Sequence, residues 1–352
     1  MRIFSTVART GIVLVLISVL SFSILYSRAE AQLQLGDTLT FWSQDWGFFS
    51  GPYKAPATLR GIGNNLYVFV ENAAWDSTFT SDFDIASNVI NGVDVKAGNI
   101  WFGTNRGLTG YDGTNWKSFK TAVINGETSD IKKVSDVAVG EDEKVWAATD
   151  NGILVLDYGT SITDTTDDVW TNFTAENTDS GLVSNEVKVV SAGPTGMWVG
   201  TNAGVSFYDG SSWTKYVHSG ASPGIISNEV FTIAFSASGD PWFGTDKGIS
   251  VLFNDKWVNF TSIDGMVGDE VYGIAHDSQG NVWIGTSKGV SILDYNETLT
   301  EKSDDVWKNY TTKNSFLKSN TIYSVAIDSD GMIWFGTASG LTKYAGGFSW
   351  KT

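Results

Sequence analysis

No cysteine occurs in the 352 residues. That excludes disulfide bracing, thiolate metal ligands and a lipid-modified N-terminal cysteine. Histidine is scarce: His218 and His276 are the whole complement, and neither stands at ligand spacing to a second histidine. Positive charge is also short, with 23 Lys and Arg against 39 Asp and Glu and a formal net charge of −16. A surface of that sign repels nucleic acid and anionic lipid, so neither is expected as a partner. Long apolar runs are limited to one, Gly11 to Tyr26, with Arg2 and Arg9 before it and Ala29-Glu30-Ala31 after it. A positive start, an apolar stretch short of a span of roughly 20 residues and a small-x-small site describe an export signal. Residues 1–31 are the expected signal peptide, cleaved before Gln32; an uncleaved anchor is the alternative. After cleavage no membrane span is expected, and the location is secreted or periplasmic.

Aromatics are abundant, with 15 Trp and 20 Phe. Burial must hold a cysteine-free exported chain together, and each buried aromatic removes on the order of 150–250 Å² from water. Many of these aromatics repeat. Trp101-Phe-Gly-Thr-Asn-Arg-Gly107 is followed by Trp146-Ala-Ala-Thr-Asp-Asn-Gly152 and Trp198-Val-Gly-Thr-Asn-Ala-Gly204. Trp242-Phe-Gly-Thr-Asp-Lys-Gly248, Trp283-Ile-Gly-Thr-Ser-Lys-Gly289 and Trp334-Phe-Gly-Thr-Ala-Ser-Gly340 complete the series. Periods of about 40–50 residues rich in short strands mark propeller blades.

Each copy reads as four strands. An apolar stretch such as Ile322, Ser324, Ala326 precedes a Gly-containing turn, the motif strand, a second turn and a third strand. A fourth strand then carries its own tryptophan: Trp116, Trp170, Trp213, Trp257, Trp307 or Trp350. The twelve tryptophans are expected as packing between blades, and the glycine two places after each motif Trp as room for a neighbour. The motif threonines are expected as structural hydrogen-bonding groups. Copies two and five carry similar insertions, Leu156-Asp-Tyr to Trp170 and Leu293-Asp-Tyr to Trp307, which would lengthen the loop between third and fourth strands.

The expected fold is therefore an all-β propeller, with residues 87–352 forming six repeats. Residues 32–86 are the N-terminal segment, read as a degenerate blade plus ring closure by Thr40-Phe41-Trp42. Seven blades are favoured on this count, six regular and one degenerate; a six-bladed ring with an N-terminal appendage is the alternative.

The repeat has a further signature. Asn-x-Val or Ile leads into an apolar strand, then Asp-x-x-Gly-x-Ile or Val-Trp-x-Gly-Thr-x-x-Gly follows, most completely from Ile322 to Gly340. This resembles the two-component regulator propeller repeat, over about 87–352. The resemblance implies a periplasmic sensor-type propeller. In that family such propellers are joined to a membrane span, a histidine kinase and a receiver. The 352 residues contain no kinase or receiver motif, so what is implied is the ligand-binding part.

A propeller binds at one mouth of its channel, where loops converge. The loops before the first strands read Asn88-Val89, Lys132-Lys133, Asn185-Glu186, Asn228-Glu229, Asp269-Glu270 and Asn320-Thr321. The turns inside the motif include Asn105-Arg106, Asn202-Ala203, Asp246-Lys247 and Ser287-Lys288. The candidate ligand-binding residues are Asn185, Glu186, Asn228, Glu229, Asp269, Glu270, Arg106, Lys247 and Lys288. The arc of Glu186, Glu229 and Glu270 points to a cationic or polyhydroxylated ligand. The competing explanation is that Asn and Asp only shape turns.

No catalytic residue, metal or cofactor is assigned. His276-Asp277 is the sole candidate for a metal-dependent lyase-like site, and it falls at the end of a first strand, away from the ligand mouth. Asp328-Ser-Asp-Gly331 resembles a fragment of a calcium loop but lacks the later acidic ligands. Asn172, Asn259 and Asn309 are formal sequons inside strands and are read as repeat chemistry. The expected function is non-enzymatic binding of a small molecule, glycan or envelope protein. The alternatives are a structural part of a surface or secretion assembly and a lyase-like enzyme.

Overall fold

Each tryptophan-centred repeat folds as an antiparallel meander. The second copy shows the plan: Val134–Val139, Val145–Thr149, Gly152–Asp157 and Val169–Phe173 pair in chain order. The computed structural model describes residues 85–351 apart from 221–223, 297, 329 and 345–349, together with Leu39–Trp42, Gly61–Ile62, Asn65–Val70 and Thr78–Phe79. Within these residues six four-stranded sheets follow one another as blades 1 to 6. Their first strands are Ile90–Lys96, Val134–Val139, Val187–Gly193, Val230–Phe235, Val271–His276 and Ile322–Ile327. First strands of successive blades pack side by side, which places them around the axis. The fold is an all-β propeller, and the six described blades fit the six-bladed count.

The segment read as a degenerate blade is described only as four short strands, in which Asn65–Val70 pairs with each of the other three. Among the described residues Leu39–Trp42 pairs with Asn65–Val70, Thr40 opposite Phe69, and Trp350–Lys351 pairs with Gly340–Tyr344. The signal segment 1–31 and its cleavage site lie outside the described residues. No helix among the described residues is long and apolar enough to cross a membrane.

The blades are joined by the motif tryptophans, all six of which are buried. Trp101, with Leu108 and Phe119, packs on Val134, Val137 and Val145 of blade 2. Trp146, Trp198, Trp242 and Trp283 each meet the next blade in the same way. The fourth-strand tryptophans from Trp116 to Trp307 are half-buried; the side chain of Trp350 lies outside the described residues. The glycine two places after the motif Trp gives the expected close approach. A Cβ on Gly103, Gly200, Gly244 or Gly285 would stand 2.7–2.8 Å from Val134, Val230, Val271 or Ile322, the first residue of the next blade. Blade 2 carries Ala148 there, fully buried.

The motif threonines clip the turn that follows them. Thr104 Oγ1 donates to the Gly107 carbonyl at 2.9 Å and accepts from the Arg106 amide at 3.1 Å. The first of these bonds recurs in all six blades. Gly107 closes that turn at φ +125°, where a side chain would strike the Phe119 carbonyl. In blades 5 and 6 the first turn reaches back to the core. Asp277 and Asp328 each accept the indole N–H of their own motif Trp, Trp283 at 2.9 Å and Trp334 at 2.8 Å. The calcium-loop resemblance of Asp328-Ser-Asp-Gly331 is thus a β-turn, its carboxylate taken up by Trp334 and the amides of Asp330 and Met332.

The two insertions lie between third and fourth strands, as expected, and reach back across a seam. Tyr158 packs tilted against Trp101 at 5.2 Å and Tyr295 against Trp242 at 6.0 Å, each tryptophan belonging to the preceding blade. One element was not anticipated: a hairpin of Thr121–Ile124 and Glu127–Asp130 between blades 1 and 2. Its signal is Asn125-Gly126, both at positive φ, the residues a two-residue hairpin turn selects.

Two predictions follow from these seams. Asp94 of blade 1 accepts from the Val139 amide of blade 2 at 2.7 Å and from the Val95 amide at 2.8 Å. Burial outweighs these bonds and pushes its carboxyl up to about 6. Because that is above the unfolded value, the neutral form favours folding, and its contribution is lost as pH rises towards 6. The stability of the native chain relative to Asp94→Asn should fall by on the order of 2–3 kcal/mol between pH 4 and 6.5 and then level off, in denaturant titrations at each pH. A flat difference would contradict the assignment. Asp328→Ala should cost about 2–3 kcal/mol by the same method, since it strands a buried indole N–H and removes the carboxylate 3.6 Å from Lys343.

Candidate functional site

The antiparallel meander sends the turn between second and third strands, and the loop leading to the next blade, to the same end. Hydrogen bonds tie the two sets. The Asn105 amide donates to Val89 O at 3.1 Å, Asp246 to Glu229 O at 3.3 Å, Ser287 to Glu270 O at 3.0 Å and Ala338 to Thr321 O at 3.0 Å. The two loop series picked out from the sequence therefore form one face.

Within it the candidate residues divide into three groups. Asn185, Asn228 and Asp269 turn into their own loops: their Oδ1 atoms accept from the amides of Ala175, His218 and Ser262 at 2.6–2.7 Å. Asn320 does the same with Thr312. These side chains are loop clips. Glu186, Glu229 and Glu270 occupy equivalent places in blades 3, 4 and 5, each one residue before the first strand. Glu186 accepts from Asn202 Nδ2, Glu229 pairs with Lys188, and Glu270 accepts from the Tyr272 hydroxyl. Arg106, Lys247 and Lys288 are exposed on the motif turns, one strand further from the axis, where their amides bond the motif threonines.

The structure adds a ring that the sequence reading passed over. In every blade the first strand shifts register after its first residue, between Ile90 and Gly92, Val134 and Asp136, Val187 and Val189, Val230 and Thr232, Val271 and Gly273, and Ile322 and Ser324. A bulge of this kind re-aims one side chain. The re-aimed residues are Asn91, Ser135, Lys188, Phe231, Tyr272 and Tyr323. All but Asn91 stay partly open, although the residue before each is buried. They meet across blade boundaries. Lys188 Nζ lies 5.1 Å over the Phe231 ring, Phe231 is 5.3 Å from Tyr272, and Tyr272 is 6.1 Å from Tyr323. Burial, the Glu270 charge and its hydrogen bond raise the Tyr272 phenol above its ordinary value. The signal was present as one polar or aromatic residue directly after the apolar start of each inner strand.

The opposite end holds His276, the last residue of its strand. Its ring meets the edge of Trp242 at 5.0 Å, and burial holds it down to about 4, against the pull of Asp277 and Asp240. It is a neutral, half-buried imidazole at the seam between blades 4 and 5. Asp277 beside it serves the turn and Trp283. No group of three His, Cys, Asp or Glu side chains among the described residues is placed to hold a metal. The sequons at Asn259 and Asn309 have structural roles: each amide bridges a third-strand serine and a loop carbonyl, Ser250 with Gly224 and Ser291 with Gly265. Gly220-Ala-Ser-Pro-Gly224 spells Gly-x-Ser-x-Gly; its middle three residues lie outside the described ones, and the next element is the strand Val230–Phe235, whereas a nucleophile elbow needs a helix after the serine.

Comparison with solved structures gives the fold. The extracellular domain of the hybrid two component system BT3049 from B. thetaiotaomicron superposes with a TM-score of 0.65 at 23% identity, over 80% of this chain and 36% of that one. PorZ, a surface component of the type-IX secretion system of Porphyromonas gingivalis, gives 0.57 at 19% identity, over 82% and 44%. Virginiamycin B lyase from Staphylococcus aureus gives 0.51 at 10% identity, over 74% and 83%. The chain thus spans less than half the length of each of the first two. No curated protein matches it. Residues 265–288 and 317–339 match the two component regulator propeller family. These stretches run from the loop before a first strand into the motif turn of blades 5 and 6, and the chain is a propeller that carries the two-component regulator propeller repeat.

Proposed function

We propose that the chain is an exported, non-catalytic binding module of the bacterial envelope, which takes its ligand or partner on the loop face. The observation that carries this is the stack of two layers around one mouth: Glu186, Glu229 and Glu270 above the bulge residues from Asn91 to Tyr323. The groups with variable chemistry gather there, while the one candidate for lyase chemistry, His276, lies half-buried against Trp242 at the other end. The repeat family supports a sensor-type role. On this reading residues 1–31 are removed on export, 32–86 form a separate N-terminal unit and 87–352 do the binding, in the periplasm or outside the cell.

A second reading, a structural part of a surface or secretion assembly, is favoured by Ile263 and Phe316. They stand 94% and 62% exposed on loops of the same face. The likeness to PorZ adds to it.

Immobilised chain can be exposed to envelope extract of the source cell and the bound species identified by mass spectrometry. The triple substitution Glu186→Gln, Glu229→Gln and Glu270→Gln should weaken capture about tenfold or more, hydrogen bonds to charged groups being worth roughly 1.5–3 kcal/mol each. Unchanged capture would overturn the rim assignment. Loss on Ile263→Ser with Phe316→Ser, with the triple variant unaffected, would favour the assembly reading.

A further inference from the structure

The bulge ring changes character around the axis. Blades 1 to 3 contribute Asn91, Ser135 and Lys188; blades 4 to 6 contribute Phe231, Tyr272 and Tyr323. At the junction of the two arcs a cation is already bound, supplied by the chain itself. Lys188 reaches from blade 3 to blade 4, where its ammonium meets the Glu229 carboxylate and lies over the Phe231 ring. Carboxylate and aromatic face together make a box for an alkylammonium group.

The propeller repeats that box one blade further on. Glu270 stands where Glu229 stood, and Tyr272 stands where Phe231 stood. The side chain arriving from the preceding blade is now Phe231, which brings a ring in place of an ammonium. Tyr323 closes the far side. The three rings are inclined to one another, 54° between Phe231 and Tyr272 and 42° between Tyr272 and Tyr323, so they form walls and do not stack flat. Glu270 is exposed at the mouth, and its carboxylate has acceptor sites left after the Tyr272 hydroxyl takes one. Lys247 and Lys288 lie on motif turns further out and are exposed, where solvent screens them.

We propose that Phe231, Tyr272 and Tyr323, with Glu270, form a site for an organic ammonium group, either quaternary or a protonated amine at the tip of a larger ligand. The box filled by Lys188 is its internal counterpart. This deepens the binding-module reading and rests on it. It also accounts for the split ring: Lys188 fills the box between blades 3 and 4 from within, and the next box has Phe231 at the corresponding position.

The test uses the full chain, titrated calorimetrically with choline and with its uncharged isostere 3,3-dimethylbutan-1-ol. Choline should bind at least about tenfold more tightly than the isostere, the range expected for a cation on aromatic faces. Tyr272→Leu and Glu270→Gln should each weaken choline about fivefold or more without lowering the unfolding temperature. Lys188→Met, which vacates the neighbouring box, should add a second equivalent of choline or tighten the first. Equal binding of choline and the isostere would overturn the proposal. So would no saturable choline binding up to about 100 mM, a hundredfold above a 1 mM dissociation constant, or binding indifferent to Tyr272→Leu. If choline fails while the triple glutamate variant still loses envelope capture, the ammonium site falls and the binding module stands.

Discussion

Neighbouring blades meet where the motif tryptophan of one lies on the first strand of the next, and the residue two places beyond that tryptophan sits against the start of the next strand. Both parts of this contact are needed. The indole fills the seam, and Gly103, Gly200, Gly244 or Gly285 lets the next strand come within 2.7–2.8 Å of where a Cβ would be. Interiors pack at near-crystal density, so a Cβ on any of these four glycines would require the facing Val or Ile side chain to give way. Ala148 shows the limit of tolerance: blade 2 accepts a single methyl there and keeps it fully buried. A chain without disulfides must gain its cohesion from such contacts, repeated seam by seam.

The same closeness explains the bulge. First strands crowd the axis, and the first residue of each is buried in the seam. A regular strand would send alternate residues to opposite seams and leave nothing facing the channel. The extra residue in every first strand releases one side chain from that alternation. Asn, Ser, Lys, Phe, Tyr and Tyr occupy it in order, and all but Asn91 are partly open.

The repeat, the four strands and the seam packing were legible because each leaves a periodic mark. Trp-x-Gly-Thr-x-x-Gly names the second strand, the following turn and the close approach at once. The positions of Glu186, Glu229 and Glu270 were legible because the loops before first strands align from copy to copy. Two things were not. Asn185, Asn228 and Asp269 look like ligand residues and serve as loop clips, because an Asx side chain bonds a loop amide as readily as it bonds a ligand. The bulge is invisible to strand periodicity, since the added residue looks like one more step of alternation. The pairing of Leu39–Trp42 with Asn65–Val70 was hidden for a related reason: the segment has the pattern of a strand but nothing that names its partner.

Lys188 shows how such a scaffold acquires or loses a site by single changes. Its ammonium bridges two blades through Glu229 and Phe231, so it holds the mouth together and fills the space a ligand would take. Replacing that lysine with an aromatic, as Phe231 does one blade later, keeps the wall and removes the internal charge. The rim glutamate Glu270 then has a ring where its counterpart Glu229 has the lysine. An acidic mouth in a chain of net charge −16 raises the local concentration of cations before any contact is made. Selectivity must then come from the rings, because a hydrated inorganic cation gains the field but little from an aromatic wall, whereas an alkylammonium group gains both.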